Sequence, residues 1–131
     1  MIVGLYQSNP TFGDIKGNVG EAIEALSRAS MDLVVLPELF NTGYQFISKE
    51  ELASLAEEIP DGFTCKSMID LARQKKMHIV FGMAERDNDK LYNSAVLVGP
   101  NGFIGHYRKT HLFFEEKYFF EPGDTGFRVW D

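Results

Sequence analysis

The stretch LYNSAVLVGPNGFIGHYRK, residues 91–109, decides the architecture. Two apolar runs flank Pro100-Asn101-Gly102, a strong turn signal, so the runs read as an antiparallel hairpin. Working outward, HIVFGMAE (78–85) is a further strand. LVVLP (33–37) is apolar throughout, as a strand covered on both faces would be. MIVGLYQ (1–7) is a short apolar strand, and GFRVWD (126–131) reads as a last one. Helical periodicity fills the gaps. NVGEAIEALSRAS (18–30) puts Val19, Ala22, Ile23, Leu26 and Ala29 on one stripe, with Asn18 and Glu21 fitting a cap and its reciprocal carboxylate. SKEELASLAEEIP (48–60) is a helix capped by Ser48 and stopped by Pro60. TCKSMIDLARQKK (64–76) is another, after the Asp61-Gly62 turn. Strand–helix–strand alternation followed by a hairpin implies an α/β domain with a mixed sheet.

Strand alternation places Phe103, Gly105, Tyr107 and Lys109 on one face of the second hairpin strand, and Ile104, His106 and Arg108 on the other. An ammonium beside large aromatics is partly desolvated, which strengthens its pull on negative charge. Glu38 follows Pro37 at the carboxyl end of the LVVLP strand, where open α/β sheets place ligands.

Composition narrows the function. The chain is 44% hydrophobic and 24% charged, as a folded domain is, and carries a net charge of −6 with a pI near 5.0. Scattered basic residues and this acidity oppose nucleic-acid and anionic-membrane binding. No run approaches the roughly 20 apolar residues of a membrane span. The N-terminus lacks a basic, long-apolar leader, and the single Cys65 forms no internal disulfide, which together favour a reducing, cytoplasmic setting.

Two segments, LVVLPELFNTGY (33–44) and GHYRKTHLFFEEKYFFEPGDTGF (105–127), resemble signatures of the carbon–nitrogen hydrolase family, the nitrilase superfamily. The resemblance runs in order over the whole chain and leans toward the amidase and carbamoylase branches. It implies that Glu38 is the general base, that Lys109 stabilises the tetrahedral intermediate, and that Glu116 orients the site. It also implies cleavage of small-molecule amide, carbamoyl or nitrile bonds through a cysteine-linked acyl intermediate, without a cofactor. The residue types suit that chemistry: a thiol needs a base, and an oxyanion needs a fixed positive donor. A base raised by burial, with two glutamates keeping a lysine charged, would complete it.

The resemblance implies a four-layer α-β-β-α sandwich, of which residues 1–131 supply one half as a single partial domain: a mixed sheet with helices on one face. The family's nucleophilic cysteine lies downstream of the EPGDTGF segment, beyond Asp131. A bare apolar sheet face follows, so the chain is expected to be completed by a C-terminal half, by a second chain, or by a copy of itself as a homo-oligomer. Cys65 sits in a helical first turn beside Lys66, a setting that lowers a thiol pKa, yet its place in the order differs from the family elbow.

Other readings compete. Glu38 also reads, less favoured, as a strand-end charge or helix N-terminal carboxylate, Lys109 with Arg108 as a solvated edge pair, and Glu115 as a rival to Glu116. Tyr44 either lines the mouth of a substrate pocket or simply packs. His78, His106 and His111 lack metal-ligand spacing and are expected to be ordinary hydrogen-bonded residues. A non-catalytic interaction or self-association module is the main alternative to the enzyme, and a metal-dependent hydrolase a weaker one.

Overall fold

A computed structural model describes residues 1–130. It contains one five-stranded sheet in the order β1 (Val3–Leu5), β2 (Leu33–Val35), β3 (His78–Asp87), β4 (Lys90–Gly99), β5 (Gly102–Arg108). β1, β2 and β3 run parallel and β3, β4 and β5 antiparallel. Helices α1 (Ile15–Ser27) and α3 (Phe63–Lys75) cover one face, and the shorter α2 (Lys49–Leu55) lies beyond the carboxyl end of β2 in the chain. The sheet is mixed, as its sequence implies.

The core follows from period. Val34, Ile79, Phe81, Met83, Val96 and Val98 point from the sheet toward Val19, Ala22 and Leu26 of α1 and Met68, Leu71 and Ala72 of α3, all essentially buried. The opposite face is open. Val3 and Leu5 are 57% and 85% exposed, and Leu33, Val35, Val80 and Leu97 are only half-buried.

Four local expectations are corrected. First, α1 begins earlier, with Asp14 as its N-cap accepting from the Gly17 N–H at 3.0 Å. Asn18 is instead inside the helix and buried, donating to the carbonyls of Thr11 and Asn41 at 2.8 Å each. Second, Ser48 caps α2 through the Glu51 N–H, but the helix ends at Leu55 and not at Pro60. The chain turns extended at Ala56 because Glu57 bridges to Glu85 of β3, and its carboxylate accepts from Thr64 N–H at the start of α3.

Third, β5 does not alternate throughout. A bulge opposite Leu97 and Val98 pairs Val98 with Phe103 but Leu97 with Gly105, so Ile104 is the extra residue. Phe103 is thereby moved to the helix-side face, its ring 6.0 Å from His106, while Tyr107 and Lys109 stay together. Fourth, residues 126–130 form no strand, and the Asp131 end of GFRVWD lies outside the described residues. Trp130 packs over Gly105, and Phe127 stacks on Tyr107 at 5.6 Å, so this aromatic segment lies flat on the open face.

Candidate functional site

The polar centre assembles where β2, β4, β5 and the short 3-10 helix Phe114–Tyr118 converge. Glu38 stands just past β2 on a turn in which Leu39 holds a left-handed φ of 49°, a backbone that costs an L-residue about 1–2 kcal/mol. Only glycine at position 82 lets that turn approach β3. A Cβ there would sit 2.8 Å from Leu39 N and 2.9 Å from Pro37 O, and closer still to Glu38 Cα.

Lys109 Nζ lies 2.9 Å from Glu38 Oε1 and 2.9 Å from Glu116 Oε2. The side chains grade inward: Glu38 is 44% exposed, Lys109 27% and Glu116 3%. A fourth residue closes the ring. The Asn93 amide nitrogen, buried on β4, donates to Glu38 Oε1 at 2.7 Å and to Glu116 Oε1 at 2.8 Å. Both glutamates are thus clamped twice, once by the ammonium and once by the amide.

The two carboxylates are left in different states. Glu116 is engaged on both oxygens, since Oε1 accepts from Asn93 and Lys109 while Oε2 accepts from the Phe113 N–H and lies 2.9 Å from the Lys109 ammonium. Glu38 takes both of its bonds on Oε1, and among the described residues Oε2 receives none. Glu38 therefore keeps an oxygen free to take a proton, and Glu116 does not. Burial pushes the Glu116 carboxyl up, but the Phe113 N–H, Lys109, Tyr44 and Asn93 together hold it below the usual carboxylate range. Partial burial pulls Lys109 down, and its bonds to Glu116 and Glu38 outweigh that and keep it above its ordinary value. Burial, then the bond and charge of Glu116, raise the Tyr44 phenol, so it remains a donor at neutral pH.

Arg108 leaves β5 on the other side from Lys109 and pins the strand. Its guanidinium grips the buried Glu85 through Nε at 3.1 Å to both oxygens, and reaches Asp87 at 2.8 Å and Asp124 at 3.0 Å. It also lies over the Tyr92 ring, 3.9 Å from its centre. The side-by-side basic residues are therefore neither solvated nor paired in role. Glu115 stays exposed, which resolves its rivalry with Glu116 for the clamp. His106 faces Glu85 at 3.7 Å, away from Lys109.

Two expectations about burial differ. Glu38 is exposed, against the burial expected of the base. Cys65 is fully buried against Met83 Sδ at 3.6 Å, and burial pushes its thiol up to about 12, against the lowering expected from a helix start. Residue reasoning missed Asn93 and Gly82. The signal for Asn93 was an amide inside a mostly apolar strand, where a buried polar group needs partners.

The carbon–nitrogen hydrolase family model matches residues 2–131. A nitrilase of Pyrococcus abyssi is 52% identical over 98% of this chain and 50% of its own length. An (R)-stereoselective amidase of a Pseudomonas species is 36% identical over 95% of this chain and 45% of its own. The chain spans about half the length of these curated relatives. Among solved structures, XC1258 from Xanthomonas campestris, a CN-hydrolase superfamily protein with an arsenic adduct in its active site, superposes with a TM-score of 0.82 at 25% identity. The match covers 93% of this chain and 46% of that one.

Proposed function

Because the chain belongs to the carbon–nitrogen hydrolase family, we propose that it supplies the base, the oxyanion lysine and the orienting glutamate of a cysteine-dependent hydrolase. The substrates are small amides, carbamoyl compounds or nitriles. The observation that carries this reading is Lys109 Nζ held at 2.9 Å from each of two glutamates of which one alone, Glu38, has an unoccupied oxygen.

The chemistry runs as follows for an amide. Glu38 Oε2 takes the proton of a thiol, whose sulfur bonds to the substrate carbonyl carbon. The Lys109 ammonium donates to the oxyanion that forms, and this is the interaction that grows in the transition state. Collapse breaks the C–N bond, and the Glu38 proton leaves on the amine. Water, losing a proton to Glu38, then releases the acid and the thiol. Glu116 and Asn93 touch no reacting atom; they hold Lys109 and Glu38 in register. Cys65 is too deeply buried for the thiol role, so the nucleophile comes from a C-terminal half or a second chain.

The open sheet face favours a second reading, in which this chain is an interaction or self-association module. One experiment separates the two: isolation of the untagged protein from its native cell, intact mass, and turnover of any complex with and without Lys109→Ala. A nucleophile-bearing complex whose activity is abolished by Lys109→Ala supports the hydrolase. Full activity in that variant overturns it, and a lone chain of 14.8 kDa favours the module.

A further inference from the structure

Two hollows meet at the polar ring, and they share no lining residue. One, of about 280 Å³, lies on the open sheet face over Gly82 and Ala95 and exposes Glu38, Asn93 and Lys109. The other, also about 280 Å³, opens on the side of Glu116 and Tyr44 and continues between Phe46, Ile47, Phe113 and Phe114. Glu116 is the one residue common to its lining and the clamp, and its oxygens bind Lys109 and Asn93.

The lining of this second groove has a definite chemical character. It contains no lysine, arginine or histidine. Its ionisable groups are Glu115, Glu116 and the Tyr44 phenol, so a carboxylate or phosphate would meet like charge and no cation. Glu116 is buried and its charge is already matched by the Lys109 ammonium, with Asn93 and the Phe113 N–H on its two oxygens, so a second ammonium gains little there. Glu115 is exposed, and a surface ion pair with it contributes little. Beside the Tyr44 hydroxyl and the exposed Gln45 amide, what remains is apolar surface: Ile47, Phe113 and Phe114 are 85%, 73% and 74% exposed. The rings of Phe113 and Phe114 sit 6.3 Å apart, and Phe46 packs behind them against Phe120 at 6.0 Å. The volume accepts one ring or a short branched chain, at the lower edge of small-molecule pockets.

We infer that the substrate of this site carries an uncharged apolar substituent, aryl or branched alkyl, that fills the Tyr44–Phe46–Ile47–Phe113–Phe114 groove while its reacting carbon lies at Lys109. This rests on the hydrolase reading and goes beyond it by naming the substituent class. It also assigns the sides of the site: the substituent enters past Glu116, and the sheet-face hollow beside Glu38 is left for the thiol.

The test is a titration of the 131-residue chain, followed by backbone amide NMR, with three amides: benzamide, succinamate and 4-aminobutanamide. The expected result is saturable shifts at Tyr44, Phe113 and Phe114 with benzamide. Its affinity should exceed that of both charged amides by at least about fivefold, the factor that about 40 Å² of ring surface removed from water supplies. Phe114→Ser, at an exposed position that leaves the core untouched, should weaken benzamide and not alter the spectrum elsewhere. Equal or tighter binding of either charged amide overturns the inference. So do benzamide shifts confined to Val35, Val80 and Leu97 on the open face, or no saturable shift at all. Those outcomes leave the hydrolase reading standing, because that reading is decided separately by the turnover of the Lys109→Ala complex.

Discussion

Replacing Asn93 tests the ring most directly. Its buried amide donates one hydrogen to each of two carboxylates, at 2.7 and 2.8 Å. A hydrogen bond to a charged group is worth about 1.5–3 kcal/mol net, so two would set an upper limit near 6. The Glu38 half is discounted, since that side chain is 44% exposed and water replaces the lost donor. The Glu116 half is kept, because Glu116 is only 3% exposed. Asn93→Leu is therefore expected to destabilise the chain by about 2–3 kcal/mol. With a urea slope of about 1.5 kcal/mol/M, the unfolding midpoint falls by about 1.3–2 M. Asn93→Asp is nearly isosteric but sets a third carboxylate against two others, so it should be worse than leucine at neutral pH and recover in acid. The parent runs the other way, through Glu116. Its folded pKa is depressed, so its contribution to stability is present above the ordinary carboxylate range and lost as pH falls through the lowered value. Without the Asn93 donor, the side-chain 13C titration of Glu116 should move upward. A midpoint within about 0.3 M of the parent in Asn93→Leu, well inside the shift expected for two charged hydrogen bonds, would refute the clamp. So would an Asn93→Asp variant more stable than Asn93→Leu at pH 7.

Other outcomes follow from neighbouring parts of the structure. Gly82→Ala pushes the Glu38 turn off β3, costing about 1–3 kcal/mol by overpacking and loosening the Glu38–Lys109 contact; a thermal melt and the Lys109 side-chain NMR signal would report both. Arg108→Met leaves Glu85 buried without its cation and should destabilise by about 3–5 kcal/mol in urea, whereas Lys76→Met, at an exposed position, should change little. Cys65 should resist a thiol reagent at pH 8 in the folded chain and react fully once urea exposes it; fast native labelling would contradict its burial and its raised thiol.

The hairpin of residues 91–109 and the apolar β2 run were legible because period and turn chemistry are local. Pro100-Asn101-Gly102 announces its turn whatever surrounds it, and the apolar run ended by Pro37 reads as a strand, although its second face is open and not covered as its composition implied. Helix starts were less secure. Asp14 and Asn18 are both good capping residues, and only contacts with Thr11 and Asn41 from outside the helix decide that Asn18 is internal. The bulge at Ile104 left no mark in the pattern, since Phe103 and Ile104 are both apolar and a one-residue slip exchanges their faces. GFRVWD had a strand's composition, yet its rings gain more by lying on Tyr107 and Gly105 than by pairing at an edge.

By itself, then, the sequence determined the class of fold, the order of its elements through the hairpin but not beyond it, and three of the four residues that meet at the polar ring. Glu38, Lys109 and Glu116 sit in the two segments that resemble the carbon–nitrogen hydrolase signatures, and that resemblance is what singled them out. Tertiary structure decided how they share it. Separations of 71 residues between Glu38 and Lys109 and 55 between Glu38 and Asn93 carry no sequence signal of contact. Only the folded sheet sets which carboxylate oxygen is occupied and which is free, because hydrogen-bond saturation is a property of geometry between distant strands and not of any one of them.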